Sequence, residues 1–252
     1  MNFPIINRPN SVTVDNAGNI YACGTGSPQV YKMTPAGVVS QVSFTSLQSP
    51  SAIAVDSAGT VYVAESKTGI ERIYKKTAAG VQSQIIVPDL RKPTDLRFDS
   101  AGNLYVVDSW NARIVRIKPN GVQDTIPPGG LDTPFAVHVD AAGTVTVSNR
   151  AEWIGVVQYT TSGVQTTVPL TGLDQPTGLD FDTDGNMYIA QSGQSGTTGA
   201  RVLKYAPDGT QSVVPFPLND PNESLYRPMG ICVRNGNIYV ADQLGYIIQR
   251  SL

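Results

Sequence analysis

A single histidine, His138, and two cysteines, Cys23 and Cys232, are all the imidazole and thiol chemistry that 252 residues carry. A three-histidine zinc site and a disulfide framework are thereby excluded. Both cysteines read as reduced, buried strand residues. Charge is also scarce, at 15% of residues with a balance of −2. No run of Lys or Arg exists and the pI is near 5.4, so the electrostatic footprint of a nucleic-acid binder is missing. No stretch approaches the ~18 apolar residues of a membrane-spanning helix. The start, Met1-Asn2-Phe3-Pro4, has neither the charged nor the apolar segment of a signal peptide. Few lysines beside many Ser, Thr and Gln point to an exported protein, secreted or periplasmic. No G-x-S-x-G, P-loop or C-x-x-C motif occurs. Gly193 to Gly199 is glycine-rich, but no helix follows it to cradle a phosphate.

What is plentiful is Gly (24) and Pro (18), against 40% hydrophobic residues. That combination fits many short strands joined by tight turns. One template recurs six times: Pro, an alternating apolar stretch, Asp, a turn with Gly, then a strand with Tyr. It first reads Pro9-Asn-Ser-Val-Thr-Val-Asp15-Asn-Ala-Gly18-Asn-Ile-Tyr21. It returns from Pro50, Pro93, Pro134, Pro176 and Pro228; Thr146 replaces the Tyr in the fourth copy and Arg234 the Asp in the sixth. A period near 40–45 residues with several strands per unit is the propeller period. Each copy continues into a third strand, such as Arg113 to Ile117, then a Gly turn and a fourth strand.

The sequence thus predicts an all-β fold over residues 1–252: a six-bladed β-propeller with four antiparallel strands per blade. Blades start near residues 9, 50, 93, 134, 176 and 228. The last copy ends after its third strand, so residues 1–8 are expected to supply the fourth and close blade six. A ring closed in this way leaves no sheet edge and is expected to be a monomer.

Asp108-Ser-Trp-Asn111-Ala-Arg113-Ile114, following Asn103-Leu-Tyr-Val, resembles the NHL-repeat consensus. The resemblance implies a six-bladed propeller, a fold that hosts scaffolds, sensors and enzymes alike. The same repeat occurs in streptogramin (virginiamycin B) lyases, and Pro228-Met-Gly-Ile-Cys-Val looks like theirs. A catalytic His follows the blade proline in that family; Asn10, Ser51, Thr94, Phe135, Thr177 and Met229 stand there here. Gluconolactonase-like propellers bind a divalent cation through inner-strand carboxylates, and only Asp180 matches such a position. No metal or other cofactor is therefore expected, a weak channel cation aside.

Two groups of residues are candidates for function. On the face where inner strands begin, termed upper here, Trp110, Asn111, Arg150, Trp153, Phe135, Tyr226 and Tyr246 fall in loops. They suit a protein, peptide or glycan ligand. RNA binding would call for a basic upper face; the acidic pI counts against it, with a local patch of Arg91, Lys92 and Arg150 left open. Near the channel, strand alternation lines up Thr13, Ala54, Arg97, His138, Asp180 and Cys232. Arg97, His138 and Asp180, from consecutive blades, form a catalytic alternative of the lyase or lactonase kind, or else a polar plug. The sequence thus favours a non-catalytic binding propeller, with an enzyme as the alternative.

Overall fold

The computed structural model describes residue 3 and residues 6–126, 129–151, 155–193, 199–216 and 225–252. Each blade proline opens an inner strand. Blade 1 holds β1 (Pro9–Val14), β2 (Ile20–Gly24), β3 (Val30–Met33) and β4 (Val39–Gln41). Blade 2 holds β5 (Pro50–Val55), β6 (Val61–Glu65), β7 (Arg72–Lys76) and β8 (Gln82–Ile85). Blade 3 holds β9 (Pro93–Phe98), β10 (Leu104–Asp108), β11 (Arg113–Ile117) and β12 (Gln123–Ile126), with a 3-10 turn at Ser109–Asn111. Blade 4 holds β13 (Pro134–Val139), β14 (Val145–Asn149), β15 (Gly155–Tyr159) and β16 (Gln165–Thr167). Blade 5 holds β17 (Pro176–Phe181), β18 (Met187–Gln191), β19 (Arg201–Tyr205) and β20 (Gln211–Val214). Blade 6 holds β21 (Pro228–Arg234), β22 (Asn237–Asp242) and β23 (Tyr246–Ser251). Every sheet is antiparallel and in sequence order.

The hairpin between the first two strands follows from the Asp-x-x-Gly spacing. Asp15 Oδ1 accepts from the Ala17 and Asn19 amides, at 2.9 and 2.8 Å. Its Oδ2 accepts from the Tyr21 hydroxyl at 3.1 Å. Asp56, Asp99 and Asp182 repeat this pattern with Tyr62, Tyr105 and Tyr188. The template's Asp and Tyr are thus two ends of one hydrogen bond that ties the turn to the second strand. In blade 6, Asn235 and Gly236 both take positive φ, 51° and 68°, and make a two-residue hairpin instead. The shorter sixth copy and its Arg234 are explained by this change of turn.

Six apolar clusters fill the seams between neighbouring blades, including the seam between blades 6 and 1. The inner strands touch in ring order, with β21 against β1. Side chains reinforce the seams: Ser51 Oγ donates to the Pro93 carbonyl at 2.7 Å, and Thr177 Oγ1 to the Pro228 carbonyl at 2.8 Å.

The expected closing strand falls largely outside the described residues. Among the described residues blade 6 has three strands, not four. Ile6 does donate its amide to the Gly245 carbonyl at 3.1 Å, and it is buried with Tyr239, Ala241 and Ile247. After Ile6 the chain leaves blade 6, as Asn7 and Arg8 turn their carbonyls to blade 1. There they accept from the Gly26 and Thr25 amides at 3.0 and 3.1 Å. Arg8 makes that turn at φ 52°. The segment is a clasp between the first and last blades. Residues 1, 2, 4 and 5 of the expected strand lie outside the described residues.

Candidate functional site

The propeller axis is closed at one end and open at the other. At the upper end only about 10 Å³ remains between Ser11, Thr94, Asp95, Phe135, Met229 and Gly230. Blades 5, 6 and 1 approach there so closely that only glycine fits. A Cβ on Gly178 would lie 2.6 Å from the Ile231 nitrogen, and one on Gly230 would lie 2.6 Å from the Asn10 carbonyl oxygen. At the lower end, where the Asp turns lie, the inner strands splay around a 790 Å³ funnel. Thr13, Ala54, Arg97, His138, Asp180 and Cys232 all line it.

Arg97 forms the partition between the two ends. Its side chain leaves blade 3, crosses the axis, and donates through Nη2 to the Ile231 carbonyl of blade 6 at 2.6 Å. Nε lies 3.5 Å from Asp95 Oδ2, and Nη1 lies 3.7 Å from Asp180 Oδ2. Arg97 Nε and Thr94 Oγ1 are buried without a hydrogen-bond partner among the described residues. Asp180 is the hub on the lower side. Its Oδ1 meets His138 Nδ1 at 2.9 Å and accepts from the Phe181 amide at 3.0 Å; its Oδ2 accepts from the Val233 amide at 2.8 Å. The His138 ring packs on Phe181, centroids 4.6 Å apart. The constellation read from three consecutive blades is therefore assembled in space.

The electrostatics follow from burial and charge. Burial pushes the Asp180 carboxyl upward, but the Arg97 charge and the His138 hydrogen bond outweigh it and hold it below the usual carboxylate range. Asp95 goes the other way, because burial exceeds what Arg97 and the Val137 amide return. Burial alone would make Arg97 a weaker base; the two carboxylates reverse that and hold it charged. Burial, then Asp180, raises the Cys232 thiol to about 11. Among the described residues no three His, Cys, Asp or Glu side chains are placed to hold a metal ion.

Asp95 was missed in the sequence reading. It stands two residues before Arg97, on the same side of the strand, and alternation could have found it. A second set of buried acceptors closes the upper loops. Glu65, Asp108, Asn149, Gln191 and Asp242 end the second strands of blades 2 to 6, all buried. Asp108 accepts from the Arg91 amide at 2.8 Å, from Asn111 Nδ2 at 2.8 Å and from Arg113 Nε at 2.7 Å. Asp242 does the same for the Tyr226 and Arg227 amides.

The upper-face candidates sort by exposure. Trp110, Tyr226 and Tyr246 are 52%, 64% and 49% exposed. Asn111 is spent on Asp108 and on the Asp89 carbonyl, the latter at 2.6 Å. Phe135 is buried in the seam beside Met229 and Leu179, beneath the Arg150 guanidinium. Arg150 also bonds Gln175 Oε1. Trp153 lies outside the described residues.

The NHL repeat family model matches residues 90–117, the stretch that runs from the loop before Pro93 through β11. No curated protein matches the chain. Solved structures do. Virginiamycin B lyase from Staphylococcus aureus is 15% identical with a TM-score of 0.70, covering 98% of this chain and 85% of that one. A gluconolactonase from Xanthomonas campestris is 12% identical with a TM-score of 0.77, covering 97% and 85%. A chain of a nidogen/laminin complex is 16% identical with a TM-score of 0.76, covering 97% and 89%. Likeness at this identity shows the fold alone. Six repeats and six sheets in ring order make this chain a six-bladed β-propeller, and the family match places an NHL repeat in its blade 3.

Proposed function

We propose that the chain is a binding propeller whose lower funnel takes a small polar ligand. The carrying observation is a 790 Å³ cavity converging on Arg97, His138 and Asp180, against an upper mouth that is shut. A concave site of this size with a few fixed polar groups is what small-molecule recognition requires. Arg97 only donates. The His138 nitrogen not held by Asp180 accepts while Nδ1 carries the proton. A ligand that sets an acceptor beside a hydroxyl fits both.

The likeness to a lyase and to a gluconolactonase keeps catalysis as the alternative at this site. Asp180 would then orient His138 as a general base, with Arg97 polarising an oxygen. One experiment separates these readings. A thermal-shift screen of small hydroxylated acids and lactones identifies a ligand, and titration is repeated with His138→Gln. Binding weakened by about tenfold or more in the variant supports the funnel. Binding left intact by His138→Gln refutes it. Turnover of the hit that follows the His138 substitution makes the protein an enzyme.

A second reading concerns the upper face, where Trp110 and Tyr226 are exposed on pinned loops and Tyr246 at the start of β23. Such aromatics suit a protein, peptide or glycan partner. The likeness to a chain of a nidogen/laminin complex supports a protein partner.

A further inference from the structure

Blade 3 presents a feature that the other described upper loops do not repeat. Arg91 Cζ and Lys92 Nζ lie 5.5 and 5.3 Å from the centre of the Trp110 ring. Both cations are exposed, and neither has a carboxylate within ion-pair distance among the described residues. Two like charges gathered on one aromatic ring without a counter-charge repel each other, and an anion relieves that repulsion.

The platform is rigid. The Trp110 and Ser109 amides donate to the Arg91 and Lys92 carbonyls at 3.2 and 3.4 Å, stitching the two loops together. Beneath them Asp108 holds the Arg91 amide, and Arg113 Nη2 donates to the Pro88 carbonyl at 2.6 Å. Asp89, Lys92 and Ala112 sit at φ 55°, 55° and 51°, a strained region for residues with a Cβ. Surroundings that hold three such residues also fix the backbone that carries the two cations and the indole. Binding then has side chains to order but no loop.

We propose that Trp110, Arg91 and Lys92 form a docking site for an acidic peptide segment of a partner protein. The proposal rests on the upper-face reading above. Carboxylates of the segment meet the two cations, and an apolar side chain packs on the exposed indole. Charge argues for a short acidic segment over a long polyanion. The chain is net negative, at −2. An extended nucleic acid or sulfated glycan feels that repulsion along its length. A peptide carboxylate within a Debye length of ~8 Å feels chiefly the local pair.

The test uses the whole chain and three fluorescein-labelled probes: a Glu/Leu peptide, its Gln/Leu counterpart, and a heparin fragment. Fluorescence anisotropy is read with wild type, with Arg91→Gln/Lys92→Gln, and with Trp110→Ala. The double charge variant alters exposed side chains only, and its unchanged melting curve guards against misfolding. The expected result is binding of the acidic peptide, weakened about tenfold by the double substitution, and by raising NaCl from about 0.05 to about 0.5 M. Acidic-peptide binding that ignores the substitutions overturns the assignment. Equal binding of the Gln/Leu peptide, lost in Trp110→Ala, overturns the acidic preference while leaving the upper-face reading intact. Heparin as the tighter probe assigns the face to a glycan and overturns the peptide. Absence of binding by all three probes removes both the proposal and the reading beneath it.

Discussion

Removing the Asp180 carboxylate strands four groups at once: the Val233 and Phe181 amides, the His138 ring and part of the Arg97 charge. Breaking a buried ion pair from one side costs about 3–5 kcal/mol, so Asp180→Ala is expected to destabilise the protein by that amount. Asp95→Asn keeps an acceptor and removes a carboxylate that burial already disfavours, and is expected to cost far less. Urea unfolding of the two variants at neutral pH checks the difference. Their pH profiles also run in opposite senses. Asp180 is depressed in the fold, so its contribution is present above the ordinary carboxylate value of ~4 and is lost as pH falls through its own lower value. Asp95 is raised, so its ionised form weakens the fold, and that penalty vanishes as pH falls. Asp95→Asn is expected to raise the urea midpoint at neutral pH relative to its effect in acid. His138 and its two neighbours were legible from strand alternation alone. That Arg97 reaches across to Ile231 was not, because the width of a channel is set by six strands together and by no one of them.

At the level of the element, the Asp–Tyr turn is the unit that repeats. Tyr62→Phe removes the hydroxyl that donates to Asp56 and is expected to cost about 0.5–1.5 kcal/mol. Burial, then the Asp56 charge, pushes the Tyr62 hydroxyl up to about 12, and Tyr21 and Tyr188 are raised for the same reasons. A raised acid is stabilising while protonated. The contribution is full below the unfolded value of ~10 and is lost as pH rises toward the folded value. Thermal unfolding should therefore fall steeply above about pH 10, and less so in Tyr62→Phe. The turn was readable from the Asp-x-x-Gly spacing, and the role of its Tyr was not, since the hydroxyl's partner lies six residues back. The loop capping by the upper acceptors escaped for a similar reason. Asp108 caps a loop 17 residues before it, a distance that no local pattern reports. Asp108→Ala is expected to speed hydrogen exchange at the Arg91 amide ahead of the strands around it.

Across the whole molecule, the prolines at the start of each inner strand announced the blades, and the structure begins a strand at every one. Closure was less legible. Where Ile6 pairs depends on where the first and last blades come to rest, and that geometry belongs to the ring. Ile6→Ala opens a cavity in the seam between blades 6 and 1 and is expected to cost about 2–4 kcal/mol. A ring that shares one seam loses cooperativity along with stability, so the thermal transition should broaden as it falls. An unchanged midpoint in the variant, or after deletion of residues 1–6, would remove the clasp from the account of closure.

The sealed upper mouth gives the propeller the topology of a cup, not of a pipe. A solute that enters the funnel must leave by the rim it came through, so capture and release share one doorway and one set of gatekeeping turns. A partner on the far side never meets that solute. Influence between the two has a route in the Arg97 partition, the one side chain among the described residues that lines both compartments.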